Sequence, residues 1–366
     1  MQLRYNTRML SRRNFLMQTA ATMCGASFLS GCSTARDTTS QDAKKLNIFS
    51  WADYLAPDTV PNFEKRFGIE VTYDTFASNE ALLARLDAGR VDYDIIVPTN
   101  YVVSKMMKGN LLQRIDHERI PNYKYMFERF RSLAYDPGNQ FAIPYTFGTT
   151  GIAYNKDAFA HASVAAPVDW DVFWDPHFAG RMTLLEDARE TIGFALKRKG
   201  HSYNTVDPSP IHDACRDLQQ QKKYVMCYTS DQVIVYLSSG DAQLALTYSG
   251  DAHIAARSND SVGYIIPRSG ASMWFDNMCI PASAPHVEAA HLWINYILEP
   301  EVGAAITNYT YFPVPNTAAA KLIKPALQAD KTLYLPDSVM DRCDQIADIG
   351  DGIYIYDRAW TELKCI

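Results

Sequence analysis

No C-x-x-C pair occurs in this chain of 366 residues, and its seven cysteines are scattered. A zinc ribbon or a disulfide scaffold needs clustered thiols, so both are excluded. The signatures of common enzyme classes are missing as well. There is no G-x-S-x-G elbow, no H-E-x-x-H, no G-x-x-x-x-G-K and no G-x-G-x-x-G. The eight histidines, among them His253, His286 and His291, have no metal-ligand spacing and read as surface or packing residues. An excess of basic residues is lacking too, and an acidic surface repels nucleic acid while concentrating cations. There is no short-period repeat and no low-complexity tract.

What is present begins with an export segment. Arg12 and Arg13 precede Asn14-Phe15-Leu16, a weakly apolar run leads to Leu29-Ser30-Gly31-Cys32, and no acid occurs before Cys32. The apolar run is too short and broken to span a bilayer. Residues 1–31 therefore read as a signal peptide. Ser11-Arg12-Arg13-Asn14-Phe15-Leu16 resembles a twin-arginine signal, and Leu29-Ser30-Gly31-Cys32 a bacterial lipobox, with an ordinary cleaved signal as the alternative. The lipobox would make Cys32 the lipidated first residue and 32–44 a polar tether. Removing 1–31 takes away four arginines and no acid, which leaves 31 basic against 41 acidic residues, a balance of −10. Five cysteines then remain outside the signal and the lipobox: Cys215, Cys227, Cys279, Cys343 and Cys365. One bridge could form in an oxidising compartment, with Cys215 and Cys227 nearest in sequence.

The mature length exceeds what one core usually absorbs, so two lobes are expected. Strand-like Leu46–Phe49, Ile69–Phe76 and Tyr93–Val97 alternate with helical Val60–Phe67, Glu80–Ala88 and Val102–Lys108, with Gly68 and Gly89 as stops. Such alternation implies parallel strands with crossover helices. Gly148-Thr149-Thr150-Gly151 is a polar joint where the chain crosses between lobes. A second alternation follows, with strands at Met182–Glu186 and Gln243–Thr247 and helices from Asp187 to Lys199 and from Ile211 to Lys222. Gly270–Asp276 reads as the return crossing. Val287–Ile306 is the longest helical pattern, and Ala318–Leu327 and Tyr356–Leu363 are also predicted as helices. The expectation is an α/β chain of two lobes joined by a hinge, with the ligand cleft between them. A first lobe would comprise 45–146 and 277–317, a second 147–276 and 318–366. A single large α/β enzyme domain is the alternative.

In open α/β sheets ligands bind outside the C-terminal ends of the strands. Aromatic and acidic residues recur at those ends. Trp51, Asp53 and Tyr54 follow the first strand, Thr99 and Tyr101 the third, Asp187 and Glu190 a second-lobe strand, Tyr248 and Asp251 another, and Trp274 and Asp276 lie at the return crossing. Aromatic faces attract ammonium groups, and carboxylates tolerate removal from water when a cation comes with them. Each member has a plain structural reading: Asp187 and Glu190 suit a helix start, Asp251 can cap a helix, and Trp274 can pack a hinge. It is the set that points to a long apolar cation with ammonium ends.

The mature chain resembles the periplasmic spermidine/putrescine-binding proteins of polyamine ABC transporters. The resemblance is carried by Ser50-Trp51-Ala52-Asp53-Tyr54, Ser78-Asn79-Glu80, Tyr93-Asp94-Ile95-Ile96-Val97-Pro98-Thr99, Asp187-Ala188-Arg189-Glu190, Gly240-Asp241, Tyr248-Ser249-Gly250-Asp251, Trp274-Phe275-Asp276 and Pro313-Val314-Pro315-Asn316. It implies the periplasmic-binding-protein fold and an aromatic box of Trp51, Tyr54, Tyr248 and Trp274. Acids close it: Asp276, with Asp187 and Glu190 further along, and Thr99 and Tyr101 on the wall. Three positions depart from the pattern. Ala52 stands where a hydroxyl is common, Tyr248 where tryptophan is usual, and Phe312 where a tyrosine is frequent. Asp251 resembles the putrescine-preferring branch and Trp274 the spermidine-preferring one, so the preferred polyamine stays open. The implied protein is not an enzyme. It is a monomer that uses no cofactor or metal, sits in the periplasm on a lipid anchor at Cys32, and hands its ligand to a membrane permease. The alternative is a polyamine sensor docking on a membrane signalling protein.

Overall fold

The computed structural model describes residues 44–365, apart from Ala77 and residues 89–91. The signal peptide, Cys32, nearly all of the tether and the expected stop at Gly89 lie outside the described residues.

The first half has the expected alternation. Strand β1 (Lys45–Trp51) leads to α1 (Thr59–Phe67), β2 (Glu70–Phe76), α2 (Asn79–Asp87), β3 (Ile95–Ile96) and α3 (Asn100–Lys108). Local chemistry sets the helix ends. Gly68 adopts φ 67° and donates its N–H to the Glu64 carbonyl, closing α1 in the left-handed conformation that glycine takes without strain. The Ser78 side chain accepts the Ala81 N–H and opens α2. Both β2 and β3 run parallel to β1.

The second half follows a fourteen-residue strand, β4 (Ala142–Asn155). It includes β5 (Met182–Leu184), α4 (Ala188–Arg198), α5 (Pro208–Gln221), β6 (Val225–Tyr228), β7 (Leu244–Tyr248), α6 (Ser249–Ser258) and β8 (Val262–Ile265), with short helices at Lys156–His161 and Val233–Ser239. The chain returns through β9 (Ser272–Cys279) to α7 (Val287–Ile297) and α8 (Pro300–Thr310), and ends with β10 (Asp344–Gln345) and α9 (Ile353–Lys364). One sheet has the order β2-β1-β3-β9-β4-β7-β5-β6, with β10 on β9 and β8 on β4.

Register explains where a ligand would go. β4 pairs antiparallel with β9 from Ala142 to Thr150, then with β7 from Thr150 to Tyr154. The Gly148–Gly151 joint is thus not a loop; it is the middle of a strand that changes neighbours. β3 is antiparallel to β9, so β1–β3 run with β4, whereas β5–β7 run against it. The C-terminal ends of both strand sets therefore face one another across the middle of β4 and β9. This is the bilobal architecture of periplasmic binding proteins, with its crevice at the strand ends.

Two main apolar cores flank that crevice. Phe63, Phe275, Trp293 and Ile294 lie in one, and Trp170, Phe173, Phe178, Tyr203 and Tyr356 in the other. Some expected elements differ. The long helix is two, because Pro300 cannot continue α7 and takes the first position of α8 while Glu299 is extended. The helix expected at Ala318–Leu327 is a single 3-10 turn at Ala319–Lys321 followed by a short helix at Pro325–Ala329. The segment placed with the second lobe packs elsewhere: Ile323, Leu327 and Leu333 cluster with Ala304 of α8, and Leu335 and Met340 join the first core. From Ile346 onward the chain belongs to the second core. Cys215, Cys227, Cys279, Cys343 and Cys365 are all free, so the bridge considered for Cys215 and Cys227 is not formed.

Candidate functional site

Asp276 lies midway along β9, one of the two strands that join the strand sets. A backbone bridge sets it opposite Thr99, at the end of β3. It is 3% exposed, and its carboxylate accepts hydrogen bonds from Tyr54 Oη at 2.6 Å and Thr99 Oγ1 at 2.7 Å. Thr99 is itself fixed: its Oγ1 accepts from Asn79 Nδ2 at 3.0 Å and its N–H donates to Asn79 Oδ1 at 3.2 Å. Asn79, absent from the candidate set though inside the Ser78-Asn79-Glu80 motif, is therefore a support for the anchor. Burial pushes the Asp276 carboxyl up to about 6, against the downward pull of the two hydroxyls.

An aromatic wall runs from this carboxylate. Ring centroids lie 6.4 Å apart for Trp51 and Tyr54, 5.4 Å for Tyr54 and Phe312, 5.5 Å for Phe312 and Trp274, and 5.9 Å for Trp274 and Tyr248. Two glycines allow such close packing. A Cβ on Gly148 would lie 2.4 Å from Trp274 Cζ2, and one on Gly250 would lie 2.2 Å from the Phe312 ring. The indole nitrogens of Trp51 and Trp274 are buried without a protein partner.

The second half contributes the remaining acids. Asp187 caps α4 by accepting the Glu190 N–H at 2.9 Å. Glu190, 3% exposed, accepts a hydrogen bond from Ser272 Oγ at 2.6 Å. Burial, then the neighbouring Asp187 charge, push its carboxyl up to about 8. Burial raises Asp187 as well, with Glu80 of the first half adding to the rise. Asp251, in the first turn of α6, is pushed up to about 7 by burial and then by Asp231. Burial raises the Tyr248 phenol, with Asp187, Glu190 and Asp251 adding to it, and raises Tyr101, with Glu80 and Asp187 adding. Tyr248 thus sits among the second-half acids, and Tyr101 between acids of the two halves.

Asp53 is the candidate that the structure does not bring into the cluster. It occupies a left-handed turn at φ 57° and is exposed. Among the described residues none of Asp187, Glu190, Asp251 and Asp276 forms an ion pair. Nor do the described residues include a group of three or more His, Cys, Asp or Glu side chains placed to hold a metal. Aromatic faces lined by unpaired carboxylates suit an organic cation with an apolar body.

A hinged two-lobed fold with a buried, polar-ended crevice defines a solute-binding protein. This chain belongs to the bacterial extracellular solute-binding protein family, whose model matches residues 58–334. It is 33% identical over 324 residues to the spermidine/putrescine-binding periplasmic protein of Escherichia coli K12, covering 88% of this chain and 92% of that one. To the putrescine-binding periplasmic protein SpuD of Pseudomonas aeruginosa it is 34% identical over 339 residues, again covering 88% and 92%. Among solved structures, the spermidine/putrescine ABC transporter substrate-binding protein PotD of Streptococcus pneumoniae superposes with a TM-score of 0.79 at 30% identity, covering 88% and 99%. The Tp0655 lipoprotein of Treponema pallidum gives 0.80 at 29%, covering 87% and 99%.

Proposed function

We propose that this protein captures a polyamine, putrescine or spermidine, in the crevice and delivers it to the permease of an ABC transporter. The observation that carries the reading is Asp276, a buried carboxylate held by Tyr54 and Thr99 with no ion-pair partner among the described residues, at the end of an aromatic wall. One ammonium sits on Asp276, the methylenes lie along Trp51, Trp274 and Phe312, and the far nitrogen meets Asp187, Glu190 or Asp251. Relatives named for putrescine and spermidine binding support this chemistry. None of the relatives reported above is named as a sensor, so the signalling alternative gains nothing. The protein acts as a monomer in the periplasm, tethered by a lipid on Cys32, and the lipoprotein relative is in keeping with such an anchor. Its first lobe is residues 45–146 and 277–340, its second 147–276 and 341–366, a division supported by the clustering of Ile323, Leu327 and Leu333 with Ala304 and of Leu335 and Met340 with the first core.

Calorimetric titration with putrescine, cadaverine, spermidine and spermine tests the reading. Tight one-to-one binding of one of them is expected, and its length identifies the far acid. Absence of heat with all four, from folded protein free of ligand, would overturn it.

A further inference from the structure

Asn100, the first residue of α3, directly follows Thr99, which holds the Asp276 carboxylate. It is 2% exposed, and both ends of its carboxamide are in use. Nδ2 donates to the Ile346 carbonyl at 2.6 Å, and Oδ1 accepts the Phe275 N–H at 3.3 Å. A carbonyl oxygen only accepts and an N–H only donates, so these partners fix which way the amide faces.

Strand register shows what the amide replaces. β10 runs parallel to β9, with Asp344 opposite Ser272 and Gln345 opposite Met273. Carried two residues further, that ladder would join the Phe275 N–H to the Ile346 carbonyl directly. Pairing stops at Gln345, and the Asn100 amide is inserted between the two groups. Phe147, opposite Phe275 on β4, sends its own N–H to the Pro313 carbonyl, so the Phe275 N–H points away from β4 and toward α3. On the same edge the Phe275 carbonyl accepts Asn277 Nδ2 at 2.9 Å, and the Asn277 N–H donates to the Pro98 carbonyl at 2.9 Å. Asp276 is thus flanked on both sides by residues tied to 98–100.

At β10 the chain crosses between the halves a third time, from Met340 in the first core to Ile346 in the second. The second half holds this crossing firmly. Asp344 accepts the Tyr203 N–H at 2.9 Å and pairs with Lys197 at 3.2 Å, Asn204 Nδ2 donates to the Gln345 carbonyl at 2.7 Å, and the Ala347 N–H donates to Asn204 Oδ1 at 2.8 Å. Toward α3 the crossing faces a cavity of about 650 Å³ lined by Ser104, Lys108, Tyr135, Cys343 and Ala347 among others. Lys108 pairs with Asp348 there at 2.7 Å, but its side chain is 70% exposed, and such pairs contribute little. Asn100 is the buried polar link from α3 to this crossing among the described residues.

We infer that Asn100 is a positioning residue for the crevice: its amide joins the β9 and β10 crossings beside the ligand anchor and so sets where Trp274 and Asp276 stand relative to the second half. Both polar ends of the side chain are committed to backbone groups, so it acts through Phe275 and not on the ligand. The inference rests on the polyamine reading for its ligand.

The test compares the full chain with Asn100→Leu and Asn100→Ser, by calorimetry with putrescine and spermidine and by hydrogen exchange of the ligand-free protein, with thermal melts as a folding control. Leucine has a similar reach without a donor or acceptor, and serine keeps both on a shorter arm. Asn100→Leu should weaken binding by about tenfold or more, since two buried backbone groups lose their partner. It should also speed exchange within β9 while β1 and β2 exchange as in the wild type, and Asn100→Ser should fall between the two on both measures. Wild-type affinity in folded Asn100→Leu would overturn the assignment. So would faster exchange spread evenly over the chain, which marks a general loss of stability. If Asn100→Leu does not fold, Asn100→Ser decides by the same two criteria. If the wild type binds neither amine, the polyamine reading fails and exchange alone judges the link: a rise confined to β9 supports it, and an unchanged rate there overturns it.

Discussion

Asp276→Asn should weaken binding and strengthen the ligand-free fold. The carboxylate is buried at 3% exposure, and its two hydroxyl partners are neutral donors that do not cancel its charge. Burial lifts its pKa from 3.8 to about 6 in spite of them. A rise of that size is a penalty on the order of 3 kcal/mol for the ionised form, at roughly 1.4 kcal/mol per unit. The folded value lies above the unfolded one, so this stability is fully present below about pH 4 and is lost as pH rises through about 6. Asparagine carries no charge. At pH 7.5 the variant without ligand should therefore melt higher, by several degrees at roughly 2–4 °C per kcal/mol. Binding should move the other way. Without the carboxylate an enclosed ammonium has no counter-charge, a loss of about 2–5 kcal/mol. That is roughly 30-fold to a few thousand-fold in Kd by the usual conversion. Calorimetry with putrescine reads the second effect and scanning calorimetry of ligand-free protein the first. Affinity within about threefold of wild type, less than ~0.7 kcal/mol, would remove Asp276 from the site. A lower melting temperature would refute the burial argument.

Gly148→Ala places a Cβ 2.4 Å from Trp274 Cζ2 and should push the indole out of the wall. Such overpacking costs about 1–3 kcal/mol of stability in denaturant titration, and an unshifted tryptophan emission and unchanged affinity would count against the placement. Polyamine affinity should rise between pH 5.5 and 8. Asp276, Asp251 and Glu190 stand at about 6, 7 and 8 without ligand, and a cation favours their ionised forms. A flat profile there would mean that these acids do not meet the ligand. Cys32→Ser should leave the protein in the aqueous fraction of cells; continued membrane partition would exclude the lipobox.

Strand ends were legible in the sequence because apolar segments stop at aromatic and acidic residues, and Trp51 and Tyr248 are the last residues of β1 and β7, whereas Asp276 lies midway along β9. The hinge was legible as a position and not as a conformation. Gly148–Gly151 carries turn-type residues, yet β9 and β7 supply partners on either side, and tertiary pairing overrides local preference. Asp53 was drawn into the site by its neighbours, and only its left-handed backbone, which aspartate tolerates, turns it to solvent. The chain from 318 to 340 has little periodicity, so its side of the molecule depends on Leu327, Leu333 and Leu335 finding α8 and the first core. Asn79 has the composition of a helix start, and its role appears only once Thr99 is folded next to it.

The charge layout of the crevice explains why closure would require a ligand. Arg189 lies between Asp187 and Glu190 in sequence and could neutralise them. Instead its guanidinium donates to the Tyr203 and Ala347 carbonyls and to Asn204 Oδ1, with its face on the Tyr356 ring. Its charge pulls both carboxyls down without an ion pair to either, and among the described residues Asp187, Glu190 and Asp251 stay unpaired. Glu80 comes from the first half, Asp276 from β9 with its carboxylate tied to Tyr54 and Thr99 of that half, and Asp187, Glu190 and Asp251 from the second. Bringing the halves together without a cation sets like charges against one another in a medium that screens them poorly. A diamine or triamine reverses the sign of that interaction, since each nitrogen replaces a repulsion with a charge-assisted hydrogen bond. Selectivity for cations then comes from the energy of closure as much as from any single contact.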